Sequence, residues 1–168
     1  MAHVPVELRT RSRVSWVMVT GRVVLFSSGF HLTFLYRLGR LARLSMGGPG
    51  RLIAGMCFWI GRHWYSSAVS PLAEIHGGLI MPHPQGIVIG SGAAIGSRAW
   101  VFHNVTVGGA PNKTGLPRIG TDVRLYAGAV VSGPVTLGDR VTVGANAVVH
   151  RNVPSDCIVR APESSVES

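Results

Sequence analysis

A six-residue period restricts the fold of this chain more than any other feature. In register, the units begin at Ile89, Ile95, Val101 and Val107 and, after an interruption, at Ile119, Leu125, Val131, Leu137, Val143 and Val149. All ten lead positions are Ile, Val or Leu, and the second position is Gly in six of the ten. The fifth is Ala or Val everywhere except before the interruption, where Pro111 stands. A hairpin sheet alternates with period two and an amphipathic helix repeats every ~3.6 residues. A period of six instead fits a coil with short flat faces, one per hexad, and a turn at each corner, so that strands of successive coils stack in parallel. The lead aliphatic then points into a narrow prism and the small fifth residue sits near a corner. The second-position glycine is expected to relieve unusual turn dihedrals. Each coil buries its row only against its neighbours, so a terminal coil needs a cap.

The helices expected before the repeats are the candidate cap. Residues 1–12 read as a basic tail, and helices are expected near 13–45 and 51–66, separated by the breaker Gly47-Gly48-Pro49-Gly50. The resulting division is a helical segment over 1–69, a repeat domain over 70–163 and a tail over 164–168. The interruption, Lys113 to Arg118, is rich in turn formers and reads as a loop thrown out from the prism. A chain of 168 residues that is 46% apolar and 14% charged has the makings of one globular unit and excludes a disordered polymer. Cys57 and Cys157 form no CxxC pair, which excludes a disulfide framework and a Cys-rich zinc site and points to a reducing cytoplasm.

The net charge of +9 is unevenly placed. Up to Ser66 the chain holds nine Arg and one acid, Glu7. No helix-turn-helix, zinc finger or aromatic base-stacking platform accompanies this charge, so nucleic acid is not expected as a partner. The longest uncharged stretch, Val23 to Tyr36, is 14 residues and falls short of the ~20 that a spanning helix needs. Leu35, Leu38, Leu41 and Leu44 share one helical arc, with Arg37, Arg40 and Arg43 roughly opposite. Two readings stand: a core-packing helix with a solvated basic face, or an interfacial helix at an anionic membrane.

The hexads resemble the parallel β-helix of the hexapeptide acyltransferases, and the resemblance implies a left-handed coil. Met81-Pro-His-Pro-Gln-Gly-Ile-Val-Ile-Gly90 and Asn104-Val-Thr-Val-Gly-Gly109 are similar to the serine acetyltransferase branch, including its short relatives that acetylate polysaccharides or their precursors. On this resemblance the fold is an all-β core, a left-handed parallel β-helix with an N-terminal α-helical segment, assembled as a homotrimer. His83 falls on the branch's catalytic histidine. An acceptor hydroxyl is a poor nucleophile, and a neutral imidazole can take its proton as it attacks a thioester carbon. His103 is the second candidate, as a proton-transfer group or a contact to the acceptor.

The resemblance further implies acetyl-CoA as co-substrate, lying in the groove between adjacent β-helices. Ala127 and Ala145 fall on cofactor-contacting positions, and Lys113, Arg118 and Arg160 are the candidate cations for its phosphates. The turn at Gly108-Gly109 is a candidate source of N–H groups for a developing oxyanion. No metal is expected, because His76, His83, His103 and His150 lack the paired spacing of the β-helical zinc enzymes. In a gapless alignment the branch's orienting aspartate falls on Ala68, the acid before the catalytic histidine on Pro82, and a second functional histidine on Leu116. These departures favour a hydroxyl of a sugar or polysaccharide precursor as acceptor. The alternatives are serine O-acetylation in cysteine biosynthesis and a noncatalytic scaffold. The expected location is cytoplasmic, with peripheral contact at the inner membrane face through the basic helices.

Overall fold

A computed structural model describes residues 27–162. The expected tails over 1–12 and 164–168, and the first part of the helix expected over 13–45, lie outside the described residues. Two helices, α1 (Ser28–Ser45) and α2 (Gly47–Trp64), precede thirteen short strands. These are β1 (Ala68–Val69), β2 (Glu74–Ile75), β3 (Val88–Ile89), β4 (Ala94–Ile95), β5 (Trp100–Val101), β6 (Thr106–Gly108) and β7 (Arg118–Ile119). They continue as β8 (Arg124–Leu125), β9 (Val130–Ser132), β10 (Thr136–Leu137), β11 (Thr142–Val143), β12 (Val148–Val149) and β13 (Ile158–Val159).

The strands build three parallel sheets that form the sides of a prism. Sheet A is ordered β1-β3-β6-β9-β12, sheet B β10-β7-β4-β2, and sheet C β13-β11-β8-β5. The sheet-A partners Val69, Ile89, Val107, Val131 and Val149 are spaced 20, 18, 24 and 18 residues apart. The basic coil is therefore eighteen residues, three hexads, with two surplus residues in the first coil and six in the third. Every lead residue of the repeat is buried, as are Ala93, Ala99, Val105, Val123, Ala129, Val135, Val141 and Ala147 at the fifth position.

The glycine expectation needs correction. None of the second-position glycines has a positive φ; the left-handed conformation falls on the fourth position, at Gly92, Arg98, Asn104, Asp122, Gly128, Arg140 and Asn146. The second-position glycines at the corner between sheets B and C instead permit close stacking. A Cβ on Gly96 would stand 2.5 Å from the Gly120 carbonyl, and one on Gly120 would stand 2.5 Å from the Asp139 carboxylate. Asp and Asn tolerate the left-handed region through local hydrogen bonding, and at the B–C corner, where Arg98, Asp122, Arg140 and Asp156 adopt it, opposite charges also pair between coils. Arg98 Nε donates to Asp122 at 2.7 Å, and Arg140 Nε to Asp156 at 2.6 Å. The Arg98 hydrogen bond holds the Asp122 carboxyl below its usual range, and Arg140 does the same for Asp156. That support is present above the ordinary carboxylate range and is lost as pH falls through the lowered values. Exposure keeps it small.

Helix α1 closes the N-terminal end. The outer edge of the first coil would leave Ala73 O, Ile75 N, Ile75 O and His76 O without a neighbouring strand. Tyr36 Oη accepts from Ile75 N at 3.1 Å and donates to Ala73 O at 2.8 Å, as a peptide of a preceding coil would. Arg37 donates to the Ile75 and His76 carbonyls and Arg40 to Ala73 O. The edge presents three carbonyls for one N–H, which is why a donor-rich basic helix suits it.

Gly47 to Gly50 does not separate the helices as expected. It forms the first turn of α2, after a break at Met46 alone. Pro49 is tolerated there because first-turn N–H groups have no intrahelical acceptor. Gly50 lets the helices meet, since a Cβ would stand 1.9 Å from Ala42 O.

Two substitutions at the same hexad position separate the steric role of glycine from mere repetition. Gly96→Ala meets only backbone within 3 Å, whereas Gly108→Ala meets nothing within 4 Å. Gly96→Ala is expected to cost about 2 kcal/mol or more, visible as a lowered denaturation midpoint. Gly108→Ala should leave the midpoint within error of the parent.

Candidate active site

The expected site residues are arranged by the register of sheet C. Trp100, Arg124, Thr142 and Ile158 are aligned partners, and Ile80 bridges to Trp100. Three residues further along each coil, at the corner where sheet C turns into sheet A, stand His103, Ala127 and Ala145, with Ala161 beyond them. His83 lies at the foot of this column. Backbone bonds tie it together: Asn104 N donates to Gln85 O, Gly128 N to His103 O and Asn146 N to Ala127 O. Residues 83, 103, 127 and 145, drawn from four coils, thus share one corner of the prism.

His83 occupies the surplus of the first coil. Five residues separate sheet C from sheet A between Trp100 and Thr106, but seven separate Ile80 from Val88. The extra length, Met81 to Gln85, carries the exposed His83 between two prolines. The segment is held at both ends. Ser67, 1% exposed, donates from Oγ to Pro84 O at 2.5 Å and accepts from Ile87 N at 3.1 Å. On the other side Gly29 of α1 presses on Met81, where a Cβ would stand within 2.1 Å of the carbonyl oxygen. No described residue hydrogen-bonds the His83 ring. Its nearest aromatic neighbour is His103, edge-on with ring centroids 6.1 Å apart. His103 Nδ1 is buried with no hydrogen-bond partner among the described residues. Leaving such a group unpaired costs about 1–3 kcal/mol, a cost usually relieved by a ligand or water at a functional site.

Besides a cavity of about 290 Å³ lined in part by Gly29, Ile80, Met81 and Pro82, next to His83, two further cavities adjoin this framework. One, of about 360 Å³, lies between α2 and the outer face of sheet A, and its lining includes Arg43, Arg51, Phe58, Ala68 and Val88. Neither Ser67 nor His83 lines this cavity, which lies on the sheet-A side of them. The other, of about 600 Å³, lies at the C-terminal end, beyond Ala145, and is lined in part by Asn146, His150, Arg151 and Arg160. Arg151 was not among the expected cations. Its only sequence signal is its place as the third residue of the last hexad, and the cavity it shares with Arg160 forms from segments brought together by coiling.

The other expected cations are not gathered at this corner. Lys113 is exposed on the loop leaving sheet A, and Arg118 is not a loop residue but the first residue of β7, exposed on sheet B. The loop also folds back more than expected: a Cβ on Gly92 would stand 2.8 Å from Leu116 Cδ1, so Leu116 rests on the prism. Gly108 is the last residue of β6, paired with Ser132, and Gly109 follows at the A–B corner. Both therefore stand across sheet A from His83 within one chain, which removes them as an oxyanion site for that histidine in the same copy. Among the described residues, no three His, Cys, Asp or Glu side chains cluster in a way that would hold a metal ion.

A column of small corner residues headed by a histidine, on a three-sided parallel β-helix with hexad register, defines the class of hexapeptide-repeat acyltransferases. Residues 117–151 match the family described as bacterial transferase hexapeptide (six repeats). The serine acetyltransferase of Helicobacter pylori is 34% identical over 135 residues, covering 79% of this chain and 77% of that protein. That of Synechococcus elongatus is 38% identical over 93 residues, 54% of this chain and 38% of its own length. The structure of soybean serine acetyltransferase complexed with serine superposes with a TM-score of 0.77 and 28% identity, covering 92% of this chain and 62% of that one. The chain belongs to the serine acetyltransferase branch of the hexapeptide-repeat acyltransferases, and its solenoid is their left-handed β-helix. It spans between about a third and four fifths of the length of the relatives it matches. These relatives are named for serine, so the comparisons support the serine alternative better than the expected sugar or polysaccharide acceptor.

The support of the His83 segment is open to a direct test. Ser67→Ala leaves Ile87 N and Pro84 O unpaired in a buried position. It is expected to lower stability by about 1–3 kcal/mol and to raise amide exchange at Ile87 above that of its neighbours in sheet A.

Proposed function

We propose that this protein is an acetyl-CoA-dependent O-acetyltransferase in which His83 is the general base. The observation that carries this reading is the placement of His83 on a pinned, two-residue surplus at the head of a column of small residues, in a chain of this family. The imidazole takes the proton of an acceptor hydroxyl, and the hydroxyl oxygen forms the new bond to the acetyl carbon as the carbon–sulfur bond to CoA breaks. The imidazolium then returns the proton to the departing sulfur. His103, edge-on to His83 with a buried unpaired nitrogen, is suited to hold the acceptor or the histidine ring through that proton transfer.

The residues present fit an extended CoA. Ala127 and Ala145 are small, so a pantetheine arm can approach the backbone along the corner, and Arg151 and Arg160 at its far end supply cations for the phosphates. Lys113 and Arg118 project from other faces. They reach the same ligand only from a neighbouring β-helix, which favours a homotrimer with the site in the groove between copies. Gly108 and Gly109 would likewise act, if at all, from that neighbour. The two free cysteines suit a reducing cytoplasm.

L-Serine is the acceptor that the relatives favour. A second reading, a sugar or glycan-precursor hydroxyl, is favoured by one observation: the cavity next to His83, lined in part by Ser27, Thr33, Ile80, Met81 and Pro82, carries no acid among the described residues to receive an amino acid's ammonium. Pro82 stands where the resemblance puts an acid in the branch, which leaves no carboxylate beside His83 in the chain for that cation.

Release of free CoA thiol from acetyl-CoA, measured against L-serine, sugars and glycan precursors, separates these readings. Thiol release should depend on the acceptor and fall at least ~100-fold in His83→Ala. Serine-dependent release names the first acceptor, and sugar-dependent release with none on serine names the second. Undiminished turnover in His83→Ala would overturn the assignment of the base. CoA binding without turnover on any acceptor would leave the protein a scaffold.

A further inference from the structure

Helices α1 and α2 each carry two apolar faces. On α1, Leu32, Tyr36 and Gly39 are buried, while Phe34 and Leu41 are 55% and 65% exposed. At ~100° per residue these exposed positions lie about half a turn from the buried ones. On α2, Ala54, Cys57 and Gly61 are buried, while Leu52, Met56 and Trp59 are 78%, 65% and 54% exposed on the other side. Ten of the seventeen exposed large hydrophobic side chains among the described residues fall between Phe30 and Trp64. A patch of this kind marks an interaction surface.

The charge around the patch selects its partner. Five arginines and no acid lie between Ser28 and Trp64. Arg37 and Arg40 are committed to the first coil, whereas Arg51 and Arg62 are exposed, lie together along one edge of the apolar stripe of α2 and make no ion pair with a described residue. A second copy related by a two-fold axis would set this positive surface against an identical one. Residues 1–26 carry four arginines against Glu7, the same sign again. Nucleic acid would answer the charge but offer nothing to Leu, Met and Phe side chains at the centre of the patch. A bilayer with anionic headgroups answers both, taking the apolar stripe below the headgroup level and placing phosphates opposite the flanking arginines. No helix among the described residues is long and apolar enough to cross a membrane.

We propose that the α1–α2 hairpin docks this protein on an anionic membrane surface, lying in the interface plane. The inference stands apart from the acetyltransferase reading, because it rests on the exposed faces of α1 and α2 and its failure leaves the assignment of His83 untouched. The test is sedimentation of the full chain with vesicles of phosphatidylcholine containing phosphatidylglycerol and with vesicles of phosphatidylcholine alone, accompanied by tryptophan fluorescence. Binding is expected to the anionic vesicles only, with a blue shift from Trp59 and loss of binding at high salt. Arg51→Glu/Arg62→Glu, with an unchanged circular dichroism spectrum, should weaken binding at least ~10-fold. Leu41→Asp/Leu52→Asp should abolish the blue shift without changing the oligomeric state. Absence of binding to anionic vesicles at low salt, equal binding to neutral vesicles, or an arginine variant that binds as the parent does would overturn the proposal. A drop in oligomeric order in the leucine variant would show instead that a second copy covers the face.

Discussion

The whole molecule depends on register between stacked coils. A strand of two or three residues has almost no pairing energy of its own, so a coil holds its shape only if its three corners fall on the corners of the coils beside it. Eighteen residues satisfy that condition with three hexads, and the buried lead aliphatics enforce it. A slip of one residue would turn Ile95 or Leu125 out to water. Close stacking at Gly96 and Gly120 and the paired charges at Arg98 and Arg140 belong to the same constraint. A corner that must repeat every eighteen residues also delivers side chains from distant parts of the chain into one line, and the candidate site uses that line.

Departures from eighteen occur where function is proposed. The six surplus residues before β7 form the Lys113 loop, and the two before β3 lift His83 out of the repeat. The second departure is short and is pinned by Ser67 and Gly29, from outside the repeats. Helix α1, which closes the first coil, therefore also supports the His83 segment. Tyr36, Arg37 and Arg40 serve the edge, Gly29 serves the histidine segment, and the opposite side of the same helices is the face proposed to meet a membrane. On that proposal the basic N-terminal third has two separate uses for its charge.

Much of the prism was legible in the chain because burial repeats at fixed positions, and even the interior residues of each hexad could be named. What escaped was tertiary. The left-handed corner position was masked because Arg98, Asp122 and Arg140 occupy it instead of glycine. Gly47 to Gly50 resembles a breaker until Ala42 is placed against Gly50. His83, His103, Ala127 and Ala145 were identified through family likeness, and only the coil register shows that they share a corner. Ser67 gives no signal as a single serine, since its partners come seventeen and twenty residues later. Arg151 acquires meaning only when the last coil brings it beside Arg160, and Arg118 proves to be a strand residue because the loop folds back through Leu116.

The central claim is that the corner column from His83 to Ala145 is the bed of the CoA thioester. Calorimetric titration of CoA into Ala145→Phe tests it most directly, since Ala145 is exposed and the larger side chain can stand in the column without disturbing the core. The account predicts that the variant keeps the parent's circular dichroism spectrum and oligomeric state but loses measurable CoA binding, while His83→Ala retains it. CoA affinity equal to the parent's in a folded Ala145→Phe would contradict the claim and move the ligand to another face of the prism.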